Sequence, residues 1–518
     1  MQHAANQPSG EDDPHGVPEP DGTLPTSPSP SPALASWLAV TLVVLSAAAV
    51  LVLEILAGRL LAPYLGVSLE TYTGIIGTVL AGIALGAACG GWLADRYDSR
   101  PLLALLFIGG GAAALAILPT IRLIGSALPT GDNGRIVLLS AVGFFPTAVV
   151  LSAVSPVVVK AQLRDLSVTG ATVGRLSACG TGGAILGTFL TGFVLVRWAA
   201  TTTLVVVVGV TLVAVGLALW LMFRRPWSSG VAALGALAML GVTATDLVQG
   251  PCQTSTRYYC VAVRQDTRLP SGRLLWLDDL RHSYVDLNDP THLEFWYIRR
   301  IVDSFQLVAA TGPIDVVYLG GGGFTLPRYV RATRPGSAQT VLEIDPDLVE
   351  LVERDLGFAP GPDVTVALGD GRRSLSKMPT DSADVVVGDA FGSRSVPWHL
   401  ATEEFLQDVR RVLRIDGVYT ANIIDNANGT FLRAEAATVG SVFQHVAVLT
   451  SSSARANVQG NSVIIGSDRP IDGPLLDRLQ LQAGDSGRRV EAIDEFVADV
   501  AVLTDDFAPV DQLIAQGD

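Results

Sequence analysis

The chain has 518 residues, of which 49% are hydrophobic and only 16% charged, and its formal net charge is −14. A mean hydropathy of +0.42 at this length excludes a single small soluble domain and points to more than one domain, part of it embedded in a membrane. The negative balance suits a cationic substrate and disfavours nucleic acid, and no metal centre is expected.

Residues 1–33 are rich in Pro, Ser, Asp and Glu, contain no Lys or Arg, and cannot bury a core, so they read as a disordered tail. No basic segment precedes the first apolar run, and a cleavable signal peptide is therefore not expected. From Leu34 to about Leu247 the spacing predicts some seven apolar spans, near 35–57, 73–94, 102–121, 136–158, 178–197, 202–223 and 229–247, giving a transmembrane domain over 34–248. The fifth is rich in Gly and Thr. Gly82, Gly86 and Gly90 recur every four residues, which puts them on one helix face and lets another helix approach. The following GGWLADRYDSR, with Gly91, Asp95, Arg96 and Arg100, resembles the loop motif of major-facilitator transporters. The chain has about half their helices, so a transporter-like fold is expected with no transport role assumed. Glu54, in the first span, is costly at that depth unless paired or wet, and Arg59, about one turn on, is its expected partner.

Arginines after the second, fourth and sixth spans, with Lys160, outnumber those of the alternate loops, so these loops and the N-terminus are expected in the cytoplasm. An odd number of spans would send the C-terminal domain outside. Cys252 and Cys260 are close enough in sequence to bridge, which favours an oxidising side. A cytosolic nucleoside donor argues the other way, and a multi-pass cell-membrane protein with a cytoplasmic C-terminal domain is the expectation. Cys89 and Cys179 read as packing residues.

Over 249–290, RYYCVAVRQ, RLLWLDDL and HSYVDL read as the short strands of a small β-domain. From 291 to 518 strands and helices alternate, which builds a mostly parallel, doubly covered sheet with an antiparallel edge. The fold class is thus a multi-pass α-helical membrane domain, then a small β-domain, then an α/β Rossmann-like domain. Within it, VVYL enters Gly320, Gly321, Gly322 and Gly323; TVLEID ends on Glu343 and Asp345; a third strand ends at Asp370 and Gly371; and DVVVGD ends on Asp389. Ligands of open α/β sheets bind outside the carboxyl ends of the strands, and an acid about 20 residues past the glycine turn can hold a ribose. The dinucleotide fingerprint fails, because Thr325 stands where the third glycine belongs and Pro327 follows in the first helical turn. A phosphate-binding P-loop also fails, since Lys160 and Lys377 are the only lysines. A nucleoside site remains.

The ordered set LDDLRHSYVDL, LGGGGF, LEID, LGDGRR and VVVGDAFG resembles the spermidine synthases (polyamine aminopropyltransferases), in particular bacterial members fused to a membrane domain, over roughly Tyr258 to Ile465. The resemblance implies the class I methyltransferase arrangement, with Glu343 on the ribose, Asp370 facing the adenine amino group and Asp389 as the catalytic carboxylate. It also implies His292 near the amine and His282 at a position usually held by Gln. The implied reaction moves the aminopropyl group of decarboxylated S-adenosylmethionine, a co-substrate rather than a cofactor, to putrescine or a related diamine. The bilayer and a second copy of the chain complete the expected partners.

Two departures stand out. Gly323 occupies a place where the family carries Asp, and GDAFGSRSVP offers Gly392 or Ser393 where a second Asp is usual. Without an acid beside the donor's tail, intact S-adenosylmethionine becomes admissible, so a methyltransferase is the second reading; a non-catalytic polyamine or nucleoside sensor is the third. Plainer roles stand beside each residue: Asp389 as a helix cap, the two histidines as packing residues, Arg372 and Arg373 as a solvated helix face, and Asp505 and Asp506 of TDDFAPVD as a turn rather than a lid.

Overall fold

The computed structural model describes residues 34–66, 68–127, 133–163, 169–223, 250–391, 396–425, 428–451, 460–485 and 487–515. The tail expected over 1–33, the span at 229–247, and Gly392 and Ser393 lie outside these residues.

The first part is a bundle of α1 (Ser36–Leu65), α2 (Leu69–Arg96), α3 (Ser99–Ala127), α4 (Asn133–Ser152), α5 (Val154–Gln162), α6 (Thr169–Leu190), α7 (Val196–Trp198) and α8 (Thr201–Met222). Among the described residues six helical runs are long and apolar enough to cross a membrane, with α4 and α5 forming one run and α6 carried on by a π-turn over Thr191–Leu195. The break at Ala153 has a local cause. Pro156 is the third residue of α5 and cannot donate back to Ser152, so the ladder is interrupted there. The three glycines of α2 face α4 and α5: an added Cβ would lie 2.8 Å from Ala148 at Gly82 and 2.6 Å from Ala153 at Gly90. Close packing accounts for them.

The helix ends define two faces. At the first, the Leu34 amide donates to Ala161 O (3.3 Å), Lys160 pairs with Asp95 (2.6 Å), and the Arg100 guanidinium lies 5.7 Å from the Phe223 ring centroid. At the second, Arg135 donates to Gly125 O (2.9 Å) and Gly250 packs against the Arg122 guanidinium. The described chain thus leaves the bundle at the first face and resumes at the second, where the C-terminal part docks. Arg59 reaches Thr256 O there, and the Leu69 amide donates to Asp511 Oδ2 (3.2 Å). Arg59 is therefore engaged by the C-terminal part rather than by Glu54, which makes no ion pair among the described residues.

Beyond the bundle, β1 (Thr254–Ser255), β2 (Cys260–Gln265), β3 (Gly272–Leu277) and β4 (Leu280–Asp286) form an antiparallel sheet in that order. A Cys252–Cys260 disulfide staples its start. The larger sheet comprises β5 (Val316–Leu319), β6 (Gln339–Glu343), β7 (Val364–Leu368), β8 (Ala383–Gly388), β9 (Leu413–Asp425), β10 (His445–Thr450), β11 (Gly460–Ser467) and β12 (Arg488–Arg489). Its order is β12-β10-β11-β9-β8-β5-β6-β7, parallel from β9 to β7 and antiparallel through β11, β10 and β12. This is the doubly wound class I methyltransferase arrangement. Its central strands are apolar throughout because both faces are covered: Val316 and Tyr318 belong to one core, Val317 and Leu319 to the other.

Candidate active site

The chain winds β5, β6, β7 in one direction and then returns to place β8 on the other side of β5, so the crevice between the ends of β5 and β8 is the switch point where such folds bind ligands. Gly320 leaves β5 with φ +90°, and a Cβ there would meet Asp389 O at 2.6 Å. Only glycine lets the two strand ends close to this distance. Gly322, with φ +50°, turns the chain against β4, where a Cβ would lie 3.1 Å from His282 Nδ1. The Gly323 amide donates to Ser283 Oγ (3.0 Å), and a Cβ on Gly323 would sit 2.9 Å from Ser283 Cβ. Ser283 thus occupies the space that a longer side chain at 323 would need.

Asp389 lies at the floor of this crevice. Asn422 on β9 donates to its Oδ1 (2.9 Å), and Asn461 on β11 donates in turn to Asn422 Oδ1 (2.9 Å). Burial pushes the Asp389 carboxyl up to about 6, with the Asn422 hydrogen bond pulling the other way. It is therefore poised just below neutrality. Asp389, His282, Tyr297 and the glycine turn line a narrow crevice, which adjoins a cavity of about 340 Å³ bounded also by Trp296, Phe391, Asn422, Ile424 and Asn461. Burial lowers His282 to about 4, so its ring is neutral and acts as a shaped polar wall rather than a cation. His292 is not brought to this point. Its ring packs on Tyr284 at 5.5 Å and its Nε2 lies 3.3 Å from Glu294.

The remaining strand ends form a second cluster. Glu343, 4% exposed, accepts from the Gly321 amide (2.8 Å) with Oε2 and from the Asp345 amide (2.9 Å) with Oε1. Burial raises its carboxyl, while these backbone donors oppose the rise. It fixes the glycine turn and retains lone pairs for hydroxyl donors. Asp345 is fully buried, and its Oδ1 caps the helix Pro346–Leu356 through the Asp347 amide (3.1 Å). Asp370 caps the short helix Gly371–Leu375 through the Arg373 amide (2.9 Å) and turns its other oxygen to His399 Nε2 (3.0 Å). Gly371 packs against Leu319, with 3.1 Å from a notional Cβ to Leu319 Cδ2.

Several members of the site were not singled out from the sequence. Asn422 and Asn461 sit on adjacent antiparallel strands, and only the register of β9 with β11 brings them together. His399 arrives from the 3₁₀ turn Trp398–Leu400. Tyr259, next to the disulfide, donates to Phe391 O (3.1 Å) and separates the Asp389 cavity from a further one of about 550 Å³ under the bundle, lined by Glu54, Arg59 and Asp278. Arg372 is not a free solvated cation: it makes two 2.7 Å bonds to Asp505, which also accepts from Thr402 Oγ1 (2.8 Å). The TDDF segment is thereby tied beside Asp370, and its turn is closed by the Thr504–Phe507 bridge.

Fold and site together define a class I methyltransferase-like α/β domain preceded by an antiparallel β-sheet, with a glycine turn and acids along the strand ends and one half-buried carboxylate at the switch point. Over 163 residues the chain is 31% identical to the polyamine aminopropyltransferase of Vibrio vulnificus (strain CMCP6), which covers 31% of this chain and 53% of that protein. It is 26% identical over 122 residues to the eEF1A lysine and N-terminal methyltransferase of Bos taurus, covering 22% and 18%. A solved probable spermidine synthase from Corynebacterium glutamicum ATCC 13032 superposes with a TM-score of 0.47 at 24% identity, over 51% of this chain and 99% of that one. No protein-family model matches. The chain spans about half the length of the curated aminopropyltransferases it matches. The α/β part is thus similar to polyamine aminopropyltransferases and, more distantly, to a protein methyltransferase, and both groups are transferases.

Proposed function

We propose that the protein is a membrane-embedded aminopropyltransferase that uses decarboxylated S-adenosylmethionine and an amine, with putrescine as the reference acceptor. The observation that carries the reading is the pairing of two chemically different acids at one sheet edge. Glu343 is held by backbone amides beside the glycine turn, where a ribose is recognised. Asp389, with its carboxyl raised to about 6, faces a cavity large enough for a small organic amine.

In the proposed reaction the acceptor enters as an ammonium, whose ordinary value near 10.4 keeps it protonated at neutrality. Ionised Asp389 holds this group and takes one proton. The freed nitrogen lone pair attacks the methylene carbon next to the sulfonium, forming a C–N bond. The C–S bond breaks, and its electron pair stays on sulfur as the neutral thioether of methylthioadenosine. The positive charge passes from sulfur to nitrogen, and Asp389 returns its proton to solvent. Orientation of the two reactants supplies much of the remaining acceleration.

A second reading, methyl transfer from intact S-adenosylmethionine, is favoured by Gly323, which places no carboxylate beside the donor's tail. Incubating the full-length protein with each donor and an amine separates the two: methylthioadenosine is expected from the decarboxylated donor, whereas S-adenosylhomocysteine as the only product would establish the second reading instead.

A further inference from the structure

We propose that the acceptor of this site carries a single ammonium, with a neutral or anionic remainder, and is not a diamine. The inference rests on the aminopropyl-transfer reading and narrows it. A diamine bound in a cavity needs a negative partner at each end, because a desolvated ammonium without one is costly. Among the described residues lining the cavity beside Asp389, Asp389 is the only carboxylate. Asp425 follows Ile424 on β9, but strand alternation turns it to the opposite face, where it accepts the Leu432 amide (2.7 Å). Glu294 lines the adjoining narrow crevice and is already bound by Arg268 (2.9 Å).

The cations at this cavity point the same way. Arg281, exposed on β4, is one of its lining residues and would repel a distal ammonium. The other walls are apolar or neutral polar, among them Trp296, Phe391, Ile424, Tyr297, Asn422 and Asn461. The Trp296 indole already has the Arg300 guanidinium 6.0 Å from its centroid, so it offers little to a second cation.

The test uses the full-length protein in lipid nanodiscs with decarboxylated S-adenosylmethionine and three acceptors of similar length: putrescine, n-butylamine and 4-aminobutyrate. Methylthioadenosine release is expected to give kcat/KM about tenfold higher for n-butylamine or 4-aminobutyrate than for putrescine. Arg281→Gln is expected to raise the putrescine-to-butylamine ratio severalfold. Putrescine equal to or better than both monoamines, or an unchanged ratio in Arg281→Gln, overturns the acceptor assignment while leaving aminopropyl transfer standing. No methylthioadenosine with any acceptor overturns the transfer reading and this inference with it.

A different observation concerns the membrane. From the helix ends we infer that the α/β domain stands on the extracytoplasmic face. It docks through Thr256 and Asp511 on the face opposite to Leu34 and Phe223. In sequence, the helix ends and following residues at the first face carry Arg96, Arg100, Lys160, Arg164, Arg224 and Arg225, and those at the second carry Arg59, Arg122, Arg135 and Arg197. The larger count marks the cytoplasmic side. The Cys252–Cys260 bridge lies on the second face, and disulfides persist where the surroundings are oxidising. This is the reverse of the side that a cytosolic donor favours. In a Cys89→Ala, Cys179→Ala background, a membrane-impermeant maleimide is expected to label Leu481→Cys, at a site 75% exposed, in intact cells, and Tyr97→Cys, at a site 59% exposed, only after permeabilisation. The opposite pattern overturns the assignment.

Discussion

The two halves of the sheet edge use their acids differently. On the β6–β7 side, Glu343, Asp345 and Asp370 are each anchored by backbone amides at turns or helix N-termini before any ligand arrives. On the β8–β9 side, Asp389 has one side-chain donor and is half-buried, and desolvation raises its carboxyl to about 6. Under the proposed function the contrast separates recognition from proton transfer. Backbone amide donors oppose the upward pull of burial and fix a carboxylate's geometry, while a carboxylate held by a single side-chain amide beside a cavity is left to exchange protons near neutral pH.

The largest break in this comparison is expected at Asp389. Asp389→Asn keeps the shape and removes the proton acceptor, so turnover should fall by about 10² to 10⁴-fold while nucleoside affinity stays within a few fold. Unchanged turnover would remove Asp389 from the chemistry. Glu343→Gln should show the converse: donor affinity falls about 10- to 100-fold, as expected for loss of a hydrogen bond to a charged group, and kcat changes less. A loss confined to kcat would reverse the two roles.

Smaller effects sharpen the same contrast. Asn422→Ala removes the bond that pulls Asp389 downward, so the acid limb of the rate profile should move above about 6, with activity recovered at higher pH. A uniform loss at all pH values would mean that Asn422 is only structural. Stability provides another reading. Because the folded carboxyl of Asp389 lies above its ordinary 3.8, the folded protein holds a proton between pH 3.8 and about 6 that the unfolded chain has released. Stability contributed by this group therefore falls as pH rises through that window, and Asn escapes the loss. Asp389→Asn should match the wild type near pH 4 and melt higher above pH 6, by a free energy on the order of 1–3 kcal/mol. Equal melting at both pH values would show that burial does not strain the carboxyl. The smallest effect is expected at His399→Ala, where nucleoside affinity should fall only about threefold because Asp370 keeps its bond to the Arg373 amide.

Much of the frame was legible in the chain because it is written locally. The β5 run VVYL, the glycine turn and the acids ending β6, β7 and β8 follow from short patterns, and the structure brings His282, the glycines and Asp389 together. The partners of those residues were not legible, because topology supplies them over long separations. Asp505 meets Arg372 across 133 residues, Asn461 meets Asn422 across 39, and Arg59 crosses from the bundle to Thr256. Asp345 misled for a related reason: a strand-end acid looks the same in sequence whether it faces a ligand or caps the next helix, and here it caps.

The most direct test is an experimental structure of the full chain with methylthioadenosine and an amine. The account predicts the ribose hydroxyls on Glu343, the sulfur turned toward Asp389, and the amine nitrogen within hydrogen-bonding distance of the Asp389 carboxylate. A nucleoside bound elsewhere, or an Asp389 carboxylate directed away from both sulfur and nitrogen, would contradict it.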